Sequence, residues 1–278
     1  MSSELLIALA ALTVGASLAS AGAVLQSVLR NPLAEPFMLG IVGGAALFAA
    51  AAINLGIASW AAVPAFAFAG ACFSLALVCG VAFLASRGGR AFGGETVILA
   101  GFVSGSFTGS LQMVLLSYAK PDTYARLSKW LFGDLHSARP LSLAVAAALG
   151  AAAFALMYSQ NRNLNALALG DESAASVGVN VRRTVLVSLG AASLATAASV
   201  AIAGAIGFLG LVVPHFVRRV FGGNHRLYLP LSAVFGGLFL LGADWAGRLF
   251  PAGVSAGVVC AVVGSPFFLW LLVLRRGR

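Results

Sequence analysis

Charge is what this chain has least of. Of its 278 residues only 9% are Asp, Glu, Lys or Arg, against about 25% in an ordinary soluble domain. Acidic residues number just 8, and lysine is confined to Lys120 and Lys129. The shortage excludes a soluble globular fold, and no polar stretch reaches the ~50 residues that a separate soluble domain would need. No G-x-x-x-x-G-K-[ST] phosphate loop occurs, so the chain offers ATP no site of that kind. With the apolar runs nearly free of ionisable groups, a proton relay or ion-coupled site has little to be built from. Cysteine is equally sparse: Cys72 and Cys79 would lie about 10 Å apart along one helix, too far for a disulfide, and Cys260 stands alone.

What is abundant is apolar surface. At about 20 residues per crossing, a hydrophobic content of 60% furnishes on the order of nine membrane spans. Apolar runs broken by Pro, Gly and charge predict helices near 5–29, 38–57, 61–85, 96–118, 140–159, 184–203, 206–221, 227–247 and 253–274. The fold class is therefore all-α, a polytopic membrane protein whose single domain fills residues 1–278. The long apolar stretch Thr184 to Val213 exceeds one crossing, and the cluster Gly204, Gly207 and Gly210 offers a place to turn. The span after it is short and expected to break at Pro214. The 33 glycines favour close helix packing through small faces.

A net charge of +9 could suggest nucleic acid, but the basic residues cluster in short loops between spans. Twelve of the 17, among them Arg30, Arg87, Arg90, Arg162, Arg182, Arg218 and Arg278, fall on one side. That side reads as cytoplasmic by the positive-inside rule, which puts the C-terminus inside and the N-terminus outside. No nucleic-acid partner is expected; membrane lipid is.

Several segments carry more information than apolarity. After the first span the chain reads Gln26-Ser27-Val28-Leu29-Arg30-Asn31-Pro32-Leu33-Ala34-Glu35-Pro36, then Leu39-Gly40. Two prolines four apart cannot continue a helix, yet a rigid turn alone leaves Gln26 and Asn31 unexplained at membrane depth. Gly170 ends one helix, and Asp171 and Glu172 stand where negative charge favours the start of a short new one. The run Gly204-Ala205-Ile206-Gly207-Phe208-Leu209-Gly210-Leu211-Val212-Val213-Pro214-His215 is followed by Arg218, His225 and Pro230. His215 lacks neighbouring ligands for a metal, so Gly207, Gly210, Pro214 and His215 are expected to form a structural turn, with His215 bonding freed backbone groups. Asp244 and Arg248, four apart on one helix, suit a local ion pair. Thr13, Ser17 and Ser20 suit either a weakly polar pathway wall or helix packing.

In order and spacing these segments, with Leu99-Ala100-Gly101, Trp130, Gly133, Leu167 to Ala174, Gly178 and Gly264-Ser265-Pro266, resemble the BtuC/FecCD-type permease subunits of bacterial ATP-binding-cassette importers for iron chelates and vitamin B12. The resemblance runs from about Gly15 to Leu274. It implies a non-enzymatic transport subunit in the bacterial inner membrane that binds no cofactor. ATP would be hydrolysed by two partner ATPase subunits, a second permease copy or paralogue would complete the pathway, and an extracytoplasmic binding protein would deliver an iron-siderophore, haem or corrinoid. It assigns Asn31, Pro32 and Leu33 to a cytoplasmic gate. Gly170, Asp171, Glu172, Ala174 and Gly178 fall in the segment that docks on the ATPase. Arg248 contacts the binding protein, with Lys120, Arg126 and Lys129 as further outer cations.

Two departures stand out. Such permeases begin with one further span and an outer L-P-R segment that this chain lacks, giving nine spans instead of ten. The outer loop Arg248 to Gly253 is shortened and holds no acid. An N-terminally truncated, inactive remnant and a stand-alone secondary transporter are the alternative readings.

Overall fold

The computed structural model describes residues 2–57, 59, 61–85, 94–119, 121–251 and 253–276. Arg87, Arg90, Lys120 and Arg278 lie outside the described residues, as do the side chains of Arg126, Arg275 and Arg276. Uninterrupted runs of Ala, Leu, Val and Gly, with polar or proline-bearing breaks between them, give an all-α chain. The helices are α1 (Ser3–Val28), α2 (Ile41–Asn54), α3 (Ala62–Ala85), α4 (Gly94–Ser117), α5 (Pro121–Leu131), α6 (Pro140–Ser159), α7 (Asn161–Leu167), α8 (Asp171–Ser176), α9 (Val181–Ala203), α10 (Leu209–Phe221), α11 (His225–Arg248) and α12 (Ala256–Arg276).

Each expected span coincides with a helix, but not each has the length to cross. Among the described residues, α1, α3, α4, α6, α9 and α11 are long and apolar enough. The 14 residues of α2 and 13 of α10 reach only about 20 Å at 1.5 Å per residue, short of a ~30 Å hydrocarbon layer. Helix α2 begins later than expected because Pro36–Leu39 forms a 3-10 turn and Gly40 follows in the left-handed conformation. Helix α5 was not expected at all. Pro121 opens it, and its polar residues hide the single face that carries the fully buried Leu127.

Helix α1 runs through the centre, packed by α11, α9, α10 and α6. Its sequence is suited to that position. Ala10, Ala11, Ala19, Ala21 and Ala23 are all fully buried, and glycines let neighbouring backbones touch it. A Cβ at Gly15 would overlap the Gly236 carbonyl on α11, and one at Gly22 would overlap the Gly210 carbonyl on α10. Ser17 and Ser20 are buried in this packing; the Ser20 hydroxyl donates to the Ala16 carbonyl at 2.6 Å, and the Ser17 side chain lies against Gly150 on α6. Helices α2, α3 and α4 pack as a second group, with α3 against α9. The ion pairs made by α1 and the turn after it lie at its two opposite ends, one at Arg30 near Ser27, the other at Glu4.

Candidate functional site

At the C-terminal end of α1 the chain reverses in a tight turn. Arg30 adopts a left-handed backbone (φ 49°), uncommon for a non-glycine residue. The Asn31 side-chain oxygen then accepts from the Leu33 N–H at 3.0 Å, while its carbonyl accepts from Ala34 N–H at 2.9 Å. Asn is the residue for this because its short amide mimics a backbone turn. Asn31, Pro32 and Leu33 are half-buried, and the Arg30 guanidinium beside them is ion-paired with Asp171. Two segments singled out separately from the sequence therefore touch.

Asp171 opens α8. Gly170 at φ 122° makes the bend into it and Gly178 at φ 85° the bend out. Ala174 is fully buried, with its N–H bonded to the Gly170 carbonyl at 2.9 Å. The rest of the segment projects outward. Asp171 and Glu172 are exposed, and so are the apolar Leu169 (79%) and Val177 (71%), an arrangement suited to contact with another protein.

Behind this surface lies a buried polar node that sequence reasoning did not assemble. His225, the first residue of α11, is fully buried. Its Nδ1 lies 2.7 Å from the Asn165 Oδ1 on α7, which also accepts the His225 backbone N–H at 2.9 Å. Its Nε2 lies 2.7 Å from the Ser27 hydroxyl on α1. In a neutral imidazole with Nδ1–H donating to Asn165, Nε2 is the acceptor that faces the Ser27 hydroxyl, whose single hydrogen is shared between it and the Ala23 carbonyl at 2.9 Å. The Ser27 oxygen accepts from Arg218 Nη2 at 3.0 Å, and the Arg218 guanidinium lies over the Tyr228 ring at 4.9 Å. The Tyr228 hydroxyl donates to Gln26 Oε1 at 3.3 Å, and Gln26 Nε2 donates to the Gly210 and Leu211 carbonyls at 3.2 and 3.4 Å. The node thus joins α1, α7, α10 and α11. Its signal in the sequence was Gln26 in an apolar run, with no apparent use for its amide.

The expected structural turn is displaced. The chain turns at Gly204 and along the extended residues up to Gly207, and Phe208 (φ 64°) caps α10. Pro214 does not break that helix; it sits inside it, as Gly210 does. The carbonyl that Pro214 frees is Gly210's, and Gln26 bonds it. His215 meets the Phe267 ring edge-on, centroids 5.8 Å apart. The Glu35 carboxylate accepts the Phe208 N–H at 3.2 Å, and burial pushes its carboxyl up to about 7 against the opposing effect of that hydrogen bond.

At the opposite end, Arg248 is engaged on two sides. Its Nε and Nη2 donate to Asp244 Oδ2 at 2.9 and 2.6 Å, the local pair its spacing suggested, and its Nη1 is paired with Glu4 at the start of α1. Asp244 is only 5% exposed and also faces His136 Nε2 at 3.3 Å; Lys129 pairs with Asp134 at 3.2 Å. A cleft of about 480 Å³ opens here between Lys129, Asp134, His136, Asp244 and Arg248.

A helical bundle with, among the described residues, six helices long and apolar enough to cross a membrane, a projecting loop-helix at one end and a charged, cleft-bearing face at the other is that of a multi-pass membrane protein. The chain belongs to the FecCD transport family, which it matches over residues 1–274. It is 40% identical to the cobalamin import system permease protein BtuC of Halobacterium salinarum, over 96% of this chain and 71% of that protein. It is 36% identical to the hemin transport system permease protein HmuU of Yersinia pestis, over 96% of this chain and 81% of the relative. Identity is also 36% to the Fe(3+) dicitrate transport system permease protein FecD of Escherichia coli, over 96% and 83%. A solved inward-facing structure of a metal-chelate type ABC transporter superposes with a TM-score of 0.86 at 29% identity, covering 97% of this chain and 85% of that one.

Proposed function

We propose that this chain is the membrane-spanning permease subunit of an ATP-binding-cassette importer. It carries an iron-siderophore, haem or corrinoid that an extracytoplasmic binding protein hands over. The observation that carries the reading is the family match along nearly the whole chain, with relatives named for cobalamin, hemin and ferric citrate. The Arg30 and α8 end is then cytoplasmic, with the C-terminus on the same side of the inner membrane. Residues 166–180, with Gly170, Asp171, Glu172, Ala174 and Gly178, dock on an ATPase subunit, one for each of two permease copies or paralogues. Exposed Leu169 and Val177 supply the apolar part of that contact. ATP is bound by the ATPase, and the permease itself needs no cofactor. Asn31, Pro32 and Leu33 narrow the inner mouth of the pathway between the two permeases. Arg248 contributes to binding-protein docking from the opposite face, with Lys129 beside the same cleft.

The test is purification from native membranes in mild detergent, with identification of what accompanies the chain, then uptake of cyanocobalamin, hemin and ferric citrate by the reconstituted complex. A co-purifying ATPase with a phosphate loop and ATP-dependent uptake of one probe are expected. Their absence overturns the reading. Arg248→Glu should weaken binding-protein affinity; unchanged affinity and uptake would remove Arg248 from the docking face.

A further inference from the structure

We infer that the C-terminal end of α1 receives the movement of the 161–176 segment and passes it to residues 31–33, with Arg30 and Asp171 as the positioning pair. The inference rests on the coupling and gating roles proposed above. It is carried by two independent ties between the same two pieces of chain. One is exposed: the Arg30 guanidinium on Asp171, the first residue of α8. The other is buried: Ser27, one turn back on α1, reaches Asn165 on α7 through the His225 imidazole, with contacts of 2.7 Å on each side.

The geometry makes these ties directional. Asn165 and Asp171 flank the bend at Gly170, so a push on α8 moves both. Ser27 and Arg30 flank the end of α1, and Asn31 begins the half-buried turn immediately after. Arg30 is itself held in a left-handed backbone, so its side chain and the direction of the following turn are set together. A displacement of α8 that keeps both ties pulls on Ser27 and Arg30 together, and through them on the Asn31 to Leu33 turn that follows. The buried tie also anchors α11 through the His225 N–H, so the segment moves against α1 and α11 together.

The experiment uses the complex of this chain with its ATPase, reconstituted with whichever of cyanocobalamin, hemin or ferric citrate the unsubstituted complex takes up. Substrate transported per ATP hydrolysed is measured for Arg30→Asp, Asp171→Arg and the double swap. Each single reversal should lower the ratio roughly two- to fivefold, the scale of one exposed ion pair; Arg30→Asp should do so with complex abundance and ATP hydrolysis unchanged, whereas Asp171→Arg, on the docking segment itself, is read only per ATP hydrolysed by the complexes that assemble. The swap should restore it. If a reversal does not assemble, Arg30→Gln and Asp171→Asn provide the same reading. Ser27→Ala should lower the ratio further in combination with Arg30→Gln. Singles that leave the ratio unchanged, or a swap that fails to restore it, overturn the inference. An unsubstituted complex that carries no ATPase or takes up no probe instead overturns the importer reading, a distinguishable failure.

Discussion

The side-chain amide of Gln26 on α1 donates to the Gly210 carbonyl, which Pro214 on α10 leaves without its helical partner. A proline inside a helix removes the bond to the carbonyl four residues back, and in a membrane interior that carbonyl has no water to turn to. Gln26→Leu should therefore destabilise the chain by about 1–3 kcal/mol, the cost of leaving a buried acceptor unpaired. Adding Pro214→Ala in the same chain returns an N–H to Gly210 and should recover part of the loss. Recovery stays partial because the Tyr228 hydroxyl has also lost its acceptor. Thermal unfolding of the four chains in detergent, treated as a double-mutant cycle, reads the coupling directly.

The glycines of the bundle are unequal, and substitution should separate them. Gly22→Ala places a methyl on the Gly210 backbone and must force α1 and α10 apart. Overpacking of this kind costs about 1–3 kcal/mol. Gly190 on α9 has open space around its would-be Cβ, so Gly190→Ala should instead raise stability by up to about 1 kcal/mol through helix propensity. Melting of the two variants in one detergent tests the contrast.

Apolar runs were enough to locate every long helix, because composition and length alone decide which segments cross a membrane. Helix α5 was hidden because half its residues are polar and it needs no apolar run to form. The break expected at Pro214 followed from local chain rules, which see the lost N–H but not Gln26, 184 residues before the freed Gly210 carbonyl. Asp171 was legible as a helix start, whereas its partner Arg30 was read only as a topology signal. His225 carried no role in the sequence reading; its place as a buried joint between Ser27 and Asn165 depends on three helices meeting, which no single stretch of sequence encodes.

Asp244 is nearly inaccessible and depends on Arg248 and His136 for its partners. Arg248→Gln should cost about 1–3 kcal/mol by stranding that carboxylate. Asp244→Asn combined with Arg248→Gln should cost less than the single change, since the stranded charge is gone. Equal losses in the single and double variants, measured by thermal unfolding, would show that Arg248 acts through Glu4 alone.

Glu35 gives the chain a pH dependence with a definite sign. Burial holds its folded carboxyl at about 7, above the ordinary value of 4.5, so between these values the folded chain keeps a proton that the unfolded chain has released. Stability must then fall as pH rises through this window, with the full loss reached above the folded value. Unfolding in detergent should show a declining melting temperature from pH 5 to pH 8. Glu35→Gln removes the titrating group and keeps an oxygen to accept the Phe208 N–H. That variant should be flatter across the window and more stable than the unsubstituted chain at pH 8. An unchanged slope would mean that the decline belongs to another group.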